Sequence, residues 1–118
     1  MILIRVSATG IGIKMANYAL PYEHRRTMRL DVCFNAGLRE PGSAHKFEVD
    51  VIDLSMTGCR FETSFTIKPG RMVFFSIPGM NTLEATIHWS RGFIYGAQFD
   101  QPLNAAVFDF IAARYLKA

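Results

Sequence analysis

Apolar and polar residues alternate with a period of two through most of this chain, and that constrains the fold more than any other feature. Leu30, Val32 and Phe34 alternate with Asp31, Cys33 and Asn35. Phe47, Val49 and Val51 alternate with Lys46, Glu48 and Asp50, and Cys59 and Phe61 with Arg60 and Glu62. Leu83, Ala85, Ile87 and Trp89 alternate with Glu84, Thr86, His88 and Ser90, while Phe93, Tyr95, Ala97 and Phe99 form another such face. Successive side chains of a strand point to opposite faces, so each run reads as a strand with one face in a core. Met72 to Ile77 is apolar on both faces and is expected to be buried more deeply. Turn chemistry separates the runs at Pro41-Gly42-Ser43, Pro69-Gly70, Pro78-Gly79 and Arg91-Gly92. Six short strands with regular turns predict a mainly β chain folded as a closed or nearly closed six-stranded antiparallel barrel, which removes exposed edges.

The period changes after Pro102. Leu103, Val107, Phe110 and Ile111 fall at helical spacing, with Tyr115 one turn further on. Pro102 is compatible with a first turn, and Arg114 and Lys117 suit the last one. The expectation is a C-terminal α-helix whose apolar face covers a barrel opening or packs on a partner.

The chain has 118 residues, enough for one domain with a real core, and half of them are hydrophobic. With 13 Lys+Arg against 10 Asp+Glu the net charge is +3. That admits an anionic ligand but is modest for a generic DNA binder. The two cysteines, Cys33 and Cys59, lack metal or redox spacing and read as small apolar side chains in strands, in keeping with a reducing cytoplasm. The first fourteen residues, MILIRVSATGIGIK, are apolar but are interrupted by Arg5, Gly10, Gly12 and Lys14. They fit neither a signal peptide nor a membrane span, and read as an extra strand or as a stretch ahead of an alternative start at Met15.

Two polar clusters stand out. His24-Arg25-Arg26-Thr27-Met28-Arg29 precedes the first barrel strand, and Asp53-Leu54-Ser55-Met56-Thr57-Gly58 joins two strands. Taken alone, the first is a solvated basic turn. Alternatively, its guanidinium forks grip a phosphate or the O6/N7 edge of a guanine. Taken alone, the second is a polar hairpin in which Asp and Ser bond nearby backbone and Gly takes a positive φ. On a functional reading Asp53 offers a carboxylate to the N–H donors of a guanine, the Ser55 hydroxyl lies beside it, and Gly58 lets the turn pass close to the ligand.

Together the clusters spell Arg25-x-x-x-Arg29, a strand pair, then Asp53-x-Ser55-x-x-Gly58, which resembles the signature of PilZ domains at every motif position. Lys68-Pro69-Gly70, Ile87-His88-Trp89 and Gly96-Ala97-Gln98-Phe99 continue the resemblance to the end of the barrel. It implies a PilZ domain over residues 22–118, with residues 1–21 as an N-terminal extension. It further implies a PilZ-type barrel with a C-terminal helix that binds cyclic di-GMP, in a cytoplasmic bacterial receptor. Arg25 and Arg29 would contact phosphate and guanine, with Asp53, Ser55 and Gly58 as the second half of the site. Arg26 lies inside the first motif and reads either as a further phosphate contact or as a solvated side chain. No metal or cofactor is implied. The expected output is a protein effector target, reached by ordering of the Arg-rich segment on ligand binding.

Two other classes fit less well. A hydrolase would draw on Asp53, Ser55 and His88 or His45, but no nucleophile elbow or triad order is present, and the scattered His and Cys lack zinc spacing. A small barrel binding RNA or single-stranded DNA would stack bases on Phe61, Phe65, Phe74, Phe75 and Tyr95, rings that also suit a barrel core.

Overall fold

The computed structural model describes residues 28–77 and 79–117. Six strands follow in order: β1 (Leu30–Arg39), β2 (Lys46–Leu54), β3 (Gly58–Glu62), β4 (Met72–Ser76), β5 (Leu83–Arg91) and β6 (Ile94–Phe99). One helix, α1 (Ala105–Tyr115), ends the chain. The strands close into an antiparallel barrel in the order β1-β2-β3-β6-β5-β4.

The alternation read from the sequence becomes the inside and outside of this barrel. Leu30, Val32, Phe34, Ala36 and Leu38 of β1 point in, as do Val49 and Val51 of β2 and Phe61 of β3. Phe61 sits at the centre, stacked on Tyr95 at 5.3 Å and edge-on to Phe75 at 5.3 Å. The buried Tyr95 hydroxyl is satisfied: it donates to the Phe65 carbonyl and accepts from the Ile67 amide. Three of the five rings that would have stacked bases are therefore inside the barrel. Of the other two, Phe74 is half-buried under Arg39, and the exposed Phe65 packs at a tilt against Phe47.

Cys33 is in β1 on the exposed outer face, where the alternation placed it, and Cys59 is buried in β3. Three expectations need correction. β4 alternates after all: Val73 and Phe75 are buried while Met72, Phe74 and Ser76 are only half-buried. Phe93 is exposed because it occupies the two-residue loop between the paired Arg91 and Ile94, where Gly92 takes φ 62°. The helix begins later and faces differently. Pro102 lies ahead of the helix rather than in its first turn, and Asn104 caps it, its Oδ1 accepting from the Val107 amide. Leu103 is buried but precedes the helix, so counting phase from it misplaces the apolar stripe. Phe108, Ile111 and Ala112 are the buried residues, and Phe110 faces out beneath Arg114.

That stripe joins the barrel's own core. Tyr115 meets Phe34 at 4.7 Å, Leu116 bridges to Val32, and the Lys117 amide donates to the Asp31 carbonyl. The chain entering the helix is tied to the turn after β2 by the Leu103 amide on the Met56 carbonyl. Barrel, turn and helix thus form one packed unit that holds the β2–β3 turn in place.

Candidate ligand-binding site

Asp53 organises the site. Phe47, Val49 and Val51 alternate inward, and continued alternation would send Asp53 into the core as well. A register shift between Val51 and Asp53 adds Ile52 to the strand, so Leu54 resumes the inward face instead. Asp53 then shares the outer face with Arg60, its cross-strand neighbour on β3. Its Oδ2 accepts from Arg60 Nε at 2.5 Å and its Oδ1 from an Arg29 terminal nitrogen at 2.7 Å. The carboxylate is 1% exposed, whereas the arginine side chains are 50% and 45% exposed for Arg29 and Arg60. A buried carboxylate is tolerated because each oxygen takes a charge-assisted bond.

Ser55 and Gly58 build the turn between β2 and β3. The Ser55 hydroxyl accepts from the amides of Thr57 and Gly58, and it is 3.3 Å from the Gly58 carbonyl, to which it donates. The Ser55 amide donates to the same carbonyl. Gly58 is outside the set of positive-φ glycines, so conformational freedom is not the reason for it. A Cβ there would meet the Ala97 carbonyl oxygen at 2.3 Å, so β3 approaches β6 too closely for any side chain.

A cleft of about 490 Å³ opens on the outer face across β3, β6 and β5. Arg29, Arg60, Gly58, His88, Trp89 and Gln98 are among the residues that line it. Trp89 reaches this face through a second bulge. A register shift between Ile87 and Trp89 adds His88 and turns the indole out, correcting the inward placement read from the alternation. The indole occupies the space beside Gly96, where a Cβ would stand 2.2 Å from Trp89 Nε1. Cys59 lies beneath, and burial, reinforced by the charge of Asp53, pushes its thiol up to about 12. It stays protonated and is no nucleophile.

Of the residues singled out from sequence, the structure places Arg29 and Gly58 on the lining of this cleft, with the buried Asp53 bonded to Arg29 and Ser55 in the adjoining turn. Arg25 and Arg26 lie outside the described residues, as does the N-terminal extension. Asp53 is buried and holds two arginines, and the Ser55 hydroxyl is engaged within its own turn. Arg60 and Gln98 were missed as site residues. The alternation of β3 did place Arg60 outward, but only the closed barrel sets it between Asp53 and Gly96. Among the described residues no three of His, Cys, Asp and Glu are grouped to hold a metal ion, and no helix is long and apolar enough to cross a membrane.

A small β-barrel with an open cleft that two guanidinium groups line has the chemistry to receive an anionic ligand. The PilZ domain family model matches residues 23–113, and the chain belongs to that family. PilZ domains are cyclic di-GMP receptors and binding domains rather than enzymes. Among solved structures, the PilZ domain of CeSA from a cellulose-synthesizing bacterium superimposes with a TM-score of 0.54 at 14% identity, over 75% of this chain and 93% of that one. At that identity the likeness bears on the fold. A search of curated proteins returned no significant match.

Proposed function

We propose that this chain is itself a cyclic di-GMP receptor that passes the signal to a protein partner by ordering of the segment Tyr22–Arg29. The observation that carries the reading is Arg29. It ends the Arg25-x-x-x-Arg29 motif, lines the cleft, and is anchored to Asp53 through one donor while half of its side chain remains exposed. Its remaining N–H groups have no other partner among the described residues. An Arg fork of this kind suits a phosphate or the O6/N7 edge of guanine. Arg25 and Arg26 complete the basic segment in this reading, Asp53 acts through the arginines it holds, and Ser55 and Gly58 keep the turn in shape.

The ordering step follows from charge. Three guanidinium groups within five residues repel one another, and cyclic di-GMP supplies two phosphates that offset this. The gain is a free-energy difference between liganded and unliganded states, which is what a switch requires. A cytoplasmic effector protein would read the resulting surface.

Calorimetric titration with cyclic di-GMP tests binding, and Arg29→Ala tests the site. Saturable binding that weakens about tenfold or more in the variant is expected, in line with the loss of a charge-assisted bond. A folded parent protein that shows no heat of binding refutes the receptor reading. Hydrogen exchange tests the switch. Amides over Tyr22–Arg29 should gain protection when ligand is added, and equal protection in both states refutes ordering while leaving binding intact.

A further inference from the structure

Arg60 is outside both motifs read from the sequence, yet it is placed as Arg29 is placed. We propose that Arg60 is a second ligand-gripping guanidinium of the cleft, and that Asp53 is the positioning carboxylate which aims both arginines at an anionic ligand. This rests on the cyclic di-GMP reading above and names how the site meets the phosphodiester.

The placement comes from three strands. Arg60 stands on the outer face of β3, opposite Asp53 on β2 and opposite Gly96 on β6. Its Nε is fixed by Asp53 Oδ2, and its terminal nitrogens have no partner among the described residues. Gly96 contributes no side chain, and the Trp89 indole lies against it, so Arg60 borders a space with an aromatic wall.

The charge balance points to an anion. Asp53 has one negative charge and holds two guanidinium groups, one on each oxygen. A single arginine would match the charge of the buried carboxylate, and with the second the trio Asp53, Arg29 and Arg60 carries one net positive charge. Each arginine spends one donor on Asp53 and presents its remaining N–H groups elsewhere. A phosphodiester supplies both the missing negative charge and acceptors in the geometry that a planar fork matches. Holding two long side chains by one buried anchor also lowers the ordering cost on binding.

The test uses the full chain with Arg60→Ala and Arg60→Lys, titrated with cyclic di-GMP, with folding verified by circular dichroism. Arg60→Ala should weaken binding about tenfold or more. Lysine retains the positive charge for Asp53 but offers a point charge in place of the fork, so Arg60→Lys should stay at least about threefold weaker than the parent. If Arg60→Ala binds as tightly as the parent, the proposal is overturned. It is equally overturned if Arg60→Lys restores full affinity, because Arg60 would then serve only as a counter-charge. Should Arg60→Ala fail to fold, Arg60→Lys decides by the same criterion. A parent protein that does not bind cyclic di-GMP removes the functional reading and this inference with it. A parent that binds beside an unaffected Arg60→Ala removes the inference alone.

Discussion

Replacing Gly58 by alanine separates two explanations of the same glycine. If Gly58 exists to let a ligand approach the backbone, Gly58→Ala should lose affinity and keep its stability. The structure assigns the glycine a different task. A Cβ at Gly58 would stand 2.3 Å from the Ala97 carbonyl oxygen and 3.3 Å from both Ala97 C and Gln98 Cα. Ordinary contact begins near 3.4 Å, so β3 and β6 would have to part by about 1 Å. The obstacle is backbone, which cannot swing aside as a side chain does. Gly58 is also held by Ser55 through its amide and its carbonyl, so its displacement disturbs the turn as well. Overpacking of this kind costs about 1–3 kcal/mol. For a domain of this size that corresponds to a fall in melting midpoint of roughly 4–12 °C. The assay is thermal unfolding of the unliganded protein followed by circular dichroism. A Gly58→Ala midpoint within about one degree of the parent would show that the close approach of β3 to β6 is not what the glycine serves.

The other outcomes concern neighbouring residues. In Gly96→Ala the new methyl meets the Trp89 side chain, which is 40% exposed and free to move; stability should fall less than in Gly58→Ala, while emission from this single tryptophan shifts to longer wavelength, and an unchanged spectrum would contradict the packing. Ser55→Ala removes the acceptor for two amides and should cost about 1–3 kcal/mol in urea unfolding, whereas an unmoved midpoint would show the turn to hold without it. Cyclic di-AMP should bind at least about tenfold more weakly than cyclic di-GMP, because adenine presents an N6 donor where guanine presents the O6 acceptor to an arginine fork; equal affinities would remove guanine reading from the site.

Much of the barrel was legible because period-two patterning is a direct consequence of strand geometry. Leu30, Val32 and Phe34, or Tyr95, Ala97 and Phe99, needed no tertiary information to be placed inside. The helix was legible as an element but not as a face. Leu103 looks like its first apolar position and is in fact a buried residue of the preceding loop, so the count from it selected Phe110 over Phe108. Arg29, Asp53, Ser55 and Gly58 were legible as a motif, yet their separate tasks were not. Whether a serine hydroxyl faces a ligand or its own turn depends on backbone geometry that spelling does not encode, and the same holds for a glycine required by a facing strand.

The cleft itself depends on the two places where alternation breaks. On β2, the extra Ile52 exchanges an inward position for an outward one at Asp53. On β5, the extra His88 does the same for Trp89. Without the first, the carboxylate would enter an apolar core, where an unpaired charge is untenable. Without the second, the indole would compete for space with Phe61, Phe75 and Tyr95, and the cleft would lose its aromatic wall. The bulged strands β2 and β5 flank the pair β3–β6, whose close approach Gly58 permits. Each bulge turns its re-aimed residue toward the outer row Arg60–Gly96, one from either side. A regular barrel with the same inward residues would therefore have the same core and no such cleft. The stability of this fold resides in its regular alternation, and its capacity to receive a ligand resides in the two departures from it.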